Sequence, residues 1–249
     1  MAFSAIVAVD TFDQYLEPVS ALVDECKLRL GENGLHISAV EPVNVAMIHA
    51  DLDASTFESY EANGGVIGVD LGRLEDALGV ADADELVLCE LDEETRTLDV
   101  RIGHLDYTLA LIDPDSIRQE PDQPDVDLPV ECVIEGDALL TAITAADLCS
   151  DHVRFAYDVD AEELIVSAQG DTDDVDYRVD GDDLIVGHAE ESCSSLFSLD
   201  YLQDVAKPIV GAAEVTLRLG EAHPMVVEYS INEGRGQVET MVAPRIQSG

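Results

Sequence analysis

Histidines, cysteines and paired carboxylates are the residues with which this chain could hold a metal or attack a substrate. His36, His49, His104, His152, His188 and His223 stand apart, with no HExxH pattern and no metal-ligand spacing. Cys26, Cys89, Cys132, Cys149 and Cys193 are odd in number and scattered. They read as buried reduced thiols, not as a disulfide framework or a zinc site. Carboxylate pairs such as Asp173-Asp174 and Asp182-Asp183 could serve a metal or acid–base site, but acidic residues run the length of the chain, so solvated faces are their default. Gly64-Gly65 reads as a turn, and there is no P-loop, nucleophile elbow or dinucleotide fingerprint. Binding without catalysis, and without a cofactor, is the expectation.

What would be bound is constrained by charge. Fifty-four acidic residues against 12 basic ones give a formal net charge of −42, and Lys27 and Lys207 are the only lysines. Regular apolar patterning argues against a disordered acidic chain. Folding in molar salt explains the composition better: there the Debye length is about 3 Å and surface self-repulsion is screened. Carboxylates hydrate strongly, whereas lysine exposes a long apolar stem. With 249 residues and 47% apolar side chains, the chain can bury one large core or two ordinary ones. No apolar run approaches the roughly 18 residues that span a bilayer. Met1 to Asp10 has no signal-peptide shape. A soluble, cytoplasmic, halophilic protein without membrane partners is expected.

Most of the chain alternates with period two. Leu98-Val100-Ile102, Val175-Tyr177-Val179, Val215-Leu217-Leu219 and Val227-Tyr229-Ile231 each interleave with polar residues, as strands burying one face do. Glu32-Asn33-Gly34 and Asp92-Glu93-Glu94 are turn signals. Four segments switch to helical spacing: Phe12, Leu16, Val19 and Val23 after a capping Asp10; Leu71, Leu74 and Leu78; Leu139, Ala142, Ile143 and Ala146; and Leu202, Val205 and Ile209. Pro18 and Pro208 should kink or stop two of them.

The helices fall two per half, and the halves echo each other. Leu35-His36-Ile37-Ser38-Ala39 resembles Leu164-Ile165-Val166-Ser167-Ala168, 129 residues later. Glu85-Leu86-Val87-Leu88 resembles Glu214-Val215-Thr216-Leu217 at the same offset. A constant offset of half the chain predicts an α+β protein made of two similar strand-rich domains, each with two helices on one sheet face. Asp113 to Asp125 is polar and holds Pro114, Pro121 and Pro124, so it should be an extended surface connector. The expected limits are 1–113 for the first domain, 114–128 for the connector and 129–249 for the second.

Gly34-Leu35-His36-Ile37-Ser38-Ala39-Val40-Glu41-Pro42-Val43-Asn44-Val45-Ala46-Met47 resembles the centre of the first domain of archaeal and eukaryotic sliding clamps, the proliferating cell nuclear antigen family. Ile67-Gly68-Val69-Asp70-Leu71, Ser198-Leu199-Asp200-Tyr201-Leu202, Pro224-Met225-Val226-Val227-Glu228-Tyr229 and Met241-Val242-Ala243-Pro244-Arg245-Ile246 are similar to later segments of that family, in the same order. The resemblance implies a homotrimeric, pseudo-six-fold ring around duplex DNA. As a processivity factor, it would tether DNA polymerases, flap endonuclease and DNA ligase through short peptides and be opened by a clamp loader.

By that resemblance, Val40, Asn44, Val45 and Met47, the connector end Val126, Leu128 and Pro129, and Pro224 with the exposed tail residues Met241, Ala243 and Pro244 form an apolar groove for partner peptides. Subunits join through Asp106 to Ile112, with Tyr107, Leu109 and Leu111, and through Val175 to Val179, with Val175, Tyr177 and Arg178. Arg178 is the candidate inter-subunit ion pair. Family members line the hole with basic residues; here the matching helical positions offer only Arg73 and Lys207 among Asp13, Gln14, Glu17, Asp76, Thr141, Thr144 and Gln203. Two other readings fit the residues: a halophilic duplicated-domain scaffold or ligand-binding protein without a DNA role, and a hydrolase whose acidic pairs hold a metal.

Overall fold

A computed structural model of the chain describes residues 3–120 and 126–245. Ile246 and the connector residues Pro121 to Asp125, singled out above, lie outside the described residues.

The first half runs β1 (Phe3–Ala8), α1 (Val9–Ser20), β2 (Glu25–Gly31), β3 (Gly34–Val40), β4 (Ala46–Asp53), β5 (Ser59–Ala62), β6 (Val66–Asp70), α2 (Leu71–Leu78), β7 (Leu86–Asp92), β8 (Thr97–Ile102) and β9 (Leu105–Ala110). The second repeats this order: β10 (Val130–Glu135), α3 (Gly136–Ala146), β11 (His152–Asp158), β12 (Glu163–Gln169), β13 (Asp174–Val179), β14 (Ile185–Ala189), β15 (Cys193–Ser198), α4 (Leu199–Ala206), β16 (Glu214–Leu219), β17 (Met225–Ile231) and β18 (Gly236–Val242). The sheet order β5-β1-β7-β8-β9 recurs as β14-β10-β16-β17-β18, and β4-β3-β2-β6 recurs as β13-β12-β11-β15.

Duplication reaches single hydrogen bonds. The N-terminal amides of α1 donate to the carbonyls of Glu85 and Ala83, and those of α3 to Ala213 and Gly211. Leu71 at the start of α2 donates to Asp24, and Leu199 at the start of α4 to Asp151. These contacts correct one expectation. Asp10 does not cap α1: the capping residue is Ala8, and Asp10 sits in the first turn accepting from Gln14 Nε2 at 2.6 Å. Carbonyls from a distant loop already satisfy the amides that a side-chain cap would serve. Asp70, by contrast, caps α2, its Oδ1 accepting from the Arg73 amide at 3.0 Å. Pro18 lies inside the last turn of α1 and Pro208 beyond the end of α4.

The chain forms two compact units, one of residues 3–42, 48–120 and 230–238, the other of 43–47, 126–229 and 239–245. In the first, α1 packs against α2; in the second, α3 packs against α4 and over β10 to β13. Period-two burial carries each core: Leu28, Leu30, Leu35 and Ile37 in one, Val153, Phe155, Leu164 and Val166 in the other. Cys26, Cys89, Cys132 and Cys193 are buried free thiols, and Cys149 is half-buried. Burial pushes the thiols of Cys26, Cys89 and Cys132 up to about 12, so they stay protonated and unreactive.

The start of the connector departs from an extended surface strand. Ile117 is 7% exposed, and the Arg118 guanidinium donates to the carbonyls of Glu41 (3.1 Å) and Pro42 (2.7 Å). Glu120 pairs with Arg29. A Cβ on Gly68 would meet the Ile112 carbonyl oxygen at 2.5 Å and Ile117 Cδ1 at 2.7 Å, so only glycine lets the chain cross β6 here. No helix among the described residues is long and apolar enough to cross a membrane.

Candidate peptide groove, sheet edges and helix faces

Ten of the eleven groove candidates belong to the second unit; Val40, half-buried at the end of β3, belongs to the first. Two clusters form. In one, the Ala243 amide donates to the Val45 carbonyl (2.7 Å) and the Arg245 amide to the Leu196 carbonyl (2.7 Å). The tail is thus held extended by alternate residues, and Pro244 occupies the position whose missing N–H costs nothing. Asn44, exposed, takes a left-handed φ of 64°, which its short polar side chain tolerates. Val45, Met47, Ala243 and Pro244 are half-buried.

In the other cluster the connector end rests on the β16–β17 loop. Leu128 and Pro129 lie so close to Gly220 that a Cβ there would meet Leu128 Cδ2 at 3.1 Å and Pro129 Cδ at 3.3 Å. The Pro129 carbonyl accepts from the Glu190 amide at 3.0 Å. Val126, Leu128, Pro129 and Pro224 are all half-buried. Met241 departs from expectation: at 8% exposed it is not part of an exposed tail but lies within the end of β18, on the face opposite Val238 and Val242. A 540 Å³ hollow in the first unit, lined by Glu32, His36, Asp51, Leu52, Asp53 and Arg235 among others, contains none of these residues.

β9 and β13 each lie at the open edge of a sheet. On β9, Tyr107 is half-buried, Asp106 and Thr108 face solvent, and Leu109 is fully buried. Leu109 therefore belongs to its own core and not to an exposed joining surface. Leu111, just beyond the strand, is half-buried. On β13, Val175 and Tyr177 are half-buried and Asp174, Asp176 and Arg178 exposed. Arg178 also departs from expectation. Its Nη1 donates to Glu163 Oε1 on β12 at 2.5 Å, and its Nη2 lies 3.8 Å from Asp176 Oδ2, so its charge is matched within the chain.

The exposed helix faces carry Asp10, Asp13 and Glu17 on α1, Arg73 and Asp76 on α2, Asp137, Thr141 and Thr144 on α3, and Asp200 and Asp204 on α4, with Lys207 at its C-cap. Arg73 is itself held by Asp70, Nε to Oδ2 at 3.3 Å. Burial, and after it the crowding of like charge, raises three carboxyls on these helices. Partial burial and then Asp10 raise the pKa of Asp13. Burial raises Glu75, against a lowering hydrogen bond from Ser20, and Asp13, Glu17 and Asp76 add to the rise. Burial and Asp200 raise Asp204 while Lys207 opposes them. A carboxyl whose folded pKa lies above its unfolded value takes up its proton more readily in the folded state. These three groups therefore cost stability at neutral pH, and the cost is relieved as pH falls through their raised values. No cluster of histidine, cysteine, aspartate and glutamate suited to a metal ion occurs among the described residues.

Sequence reasoning missed the residues that hold the loops beside these clusters. Ser195 binds the Gly220 carbonyl and Arg118 the carbonyls of Glu41 and Pro42, but a serine inside a strand or a glycine at its end carries no periodic signal.

A duplicated α+β chain with two helices per half and the same strand order repeated in each half defines the DNA-clamp class of fold. Residues 5–116 match the proliferating cell nuclear antigen N-terminal domain and residues 143–245 its C-terminal domain. Over 246 residues the chain is 57% identical to a DNA polymerase sliding clamp of Natronomonas pharaonis and 54% to one of Haloarcula marismortui, covering 99% of each chain in both cases. It also resembles the solved structure of the C-terminal region of FEN-1 bound to A. fulgidus PCNA, with a TM-score of 0.92 and 34% identity over 99% of this chain and 100% of that one. The chain belongs to the proliferating cell nuclear antigen family of sliding clamps.

Proposed function

We propose that three copies of this chain join edge to edge, β9 of one to β13 of the next, into a ring that encircles duplex DNA and tethers replication and repair enzymes to it. The observation that carries this reading is that β9 and β13 each end a sheet with one flank left unpaired. An unpaired edge templates association, and closing the ring pairs these two. The chain is divided as a first clamp domain (1–113), a connector (114–128) and a second clamp domain (129–249). It works in the cytoplasm by holding, without turnover of its own. DNA polymerases, a flap endonuclease, a DNA ligase and a clamp loader bind through short peptides whose apolar anchors enter the half-buried groove.

Retention of DNA is topological. Arg73 and Lys207 face the duplex, but they are outnumbered by carboxylates on the same helices, and each subunit carries a net −42. In molar salt the counterion-release gain from lysine–phosphate contacts is mostly gone, so few basic residues are needed. Arg73→Ala combined with Lys207→Ala should leave stimulation of the cognate polymerase within about twofold in molar potassium chloride, since at a Debye length of about 3 Å exposed contacts to phosphate are largely screened. Processivity assays on primed DNA measure this, and abolition of stimulation would overturn topological retention.

A further inference from the structure

We infer that Ser195 and Gly220 are positioning residues for the partner-peptide groove, setting the height of the wall formed by the connector end and Pro224. The inference rests on the groove reading above and names residues outside the groove itself. Ser195 lies on β15, 3% exposed, with its hydroxyl beneath the β16–β17 loop. Its Oγ donates to the Gly220 carbonyl (2.8 Å), with the His223 carbonyl 3.1 Å away, and accepts from the His223 amide (3.1 Å). One buried hydroxyl therefore ties both ends of the loop. Two further bonds fasten the same loop to β15: the Ala222 amide to the Ser194 carbonyl (3.1 Å), and the Ser194 amide to Glu221 Oε2 (2.7 Å).

The loop is fixed at a cost. Ala222 takes a left-handed φ of 51°, where a β-carbon is disfavoured, and Pro224 follows two residues later. Such a conformation persists only where its surroundings over-determine it, and the four bonds from β15 do so. Leu128 and Pro129 then settle onto Gly220 so closely that a β-carbon there would meet Leu128 Cδ2 at 3.1 Å and Pro129 Cδ at 3.3 Å, and fits only if they give way. The chain of support runs from the Ser195 hydroxyl to the Gly220 backbone, then to Leu128 and Pro129, whose outer surfaces meet the peptide. A methyl group at Gly220 lifts the connector end by a few tenths of an ångström. Loss of the hydroxyl frees the loop to move.

Gly220→Ala and Ser195→Ala are compared with the unmodified protein in molar potassium chloride. The probe is a synthetic peptide carrying glutamine followed by spaced aliphatic and aromatic anchors. Both variants should remain trimeric and bind the peptide about tenfold more weakly, because a wall that must be reordered on docking loses its pre-organisation. Hydrogen exchange on the free proteins should quicken at the amides of Leu128 and Val130 and in residues 220–223, with β11 and β12 unchanged. A merely structural role would lower the melting temperature and leave the affinity of the folded trimer as it was. Affinity within twofold of the unmodified protein in both variants overturns the inference, as does unchanged exchange at 128–130. Failure of the unmodified protein to bind the peptide removes the groove reading instead, and the exchange result still decides whether Ser195 and Gly220 position this wall.

Discussion

Met47→Glu should reduce the affinity for a peptide with glutamine and spaced apolar anchors by at least ~100-fold, since a desolvated unpaired carboxylate costs about 3 kcal/mol or more. The size of the effect follows from where Met47 stands. It is half-buried on β4, beside Val45, whose carbonyl holds the tail at Ala243. In the free protein a glutamate there keeps its carboxylate in water, so folding is little disturbed. Docked apolar anchors remove that water and offer no hydrogen-bond donor in return. Calorimetric titration with the peptide, paired with thermal melts, separates the two contributions. Undiminished affinity would place the peptide elsewhere on the molecule.

Lowering potassium chloride from molar to ~0.1 M should weaken the trimer at least ~10-fold, because the Debye length lengthens from about 3 to about 10 Å. The edges to be joined explain why. β9 presents Asp106, with Asp99 and Glu90 on the neighbouring strands, and β13 presents Asp174 and Asp176. The basic residues nearby are already matched: Arg101 to Glu90 and Asp106, Arg178 to Glu163 and Asp176. Closing the ring therefore brings carboxylates toward carboxylates, and only mobile cations offset the repulsion. Sedimentation at fixed protein concentration across a salt series reads the loss of trimer. Asp174→Asn with Asp176→Asn should move the transition to lower salt. A trimer equally tight at both ends of the series would show that edge repulsion is not the controlling force.

Much of the architecture was legible because strands that bury one face must alternate. Leu35 to Ala39 and Leu164 to Ala168, matched by sequence alone, are the cores of β3 and β12, each in the same place in its sheet. Alternation cannot say whether a strand is central or at an edge. Nothing in Leu105 to Ala110 or Asp174 to Val179 sets them apart from β8 or β16 as patterns, and their place came from family resemblance. Capping was misread at Asp10 because the donors of α1 are met by the carbonyls of Glu85 and Ala83, about 75 residues away, beyond any local rule. Met241 was misread for a related reason. A position near the chain end suggests exposure, but Met241 is buried at the end of β18, on the opposite face from Val238 and Val242. The connector's anchorage through Ile117 and Arg118 depends on carbonyls of Glu41 and Pro42 that no spacing in the sequence brings together.

A ring that holds DNA by shape, and not by charge, behaves differently on a closed and an open duplex. The most direct measurement is the lifetime of clamps loaded onto nicked circular DNA in molar potassium chloride, before and after a restriction enzyme cuts the circle. Clamps should persist on the circle and run off the cut molecule at once, with Arg73→Ala and Lys207→Ala changing neither outcome. Equal lifetimes on circular and linear DNA would mean that contacts to the duplex hold the protein in place, contradicting an acidic ring that encircles its DNA.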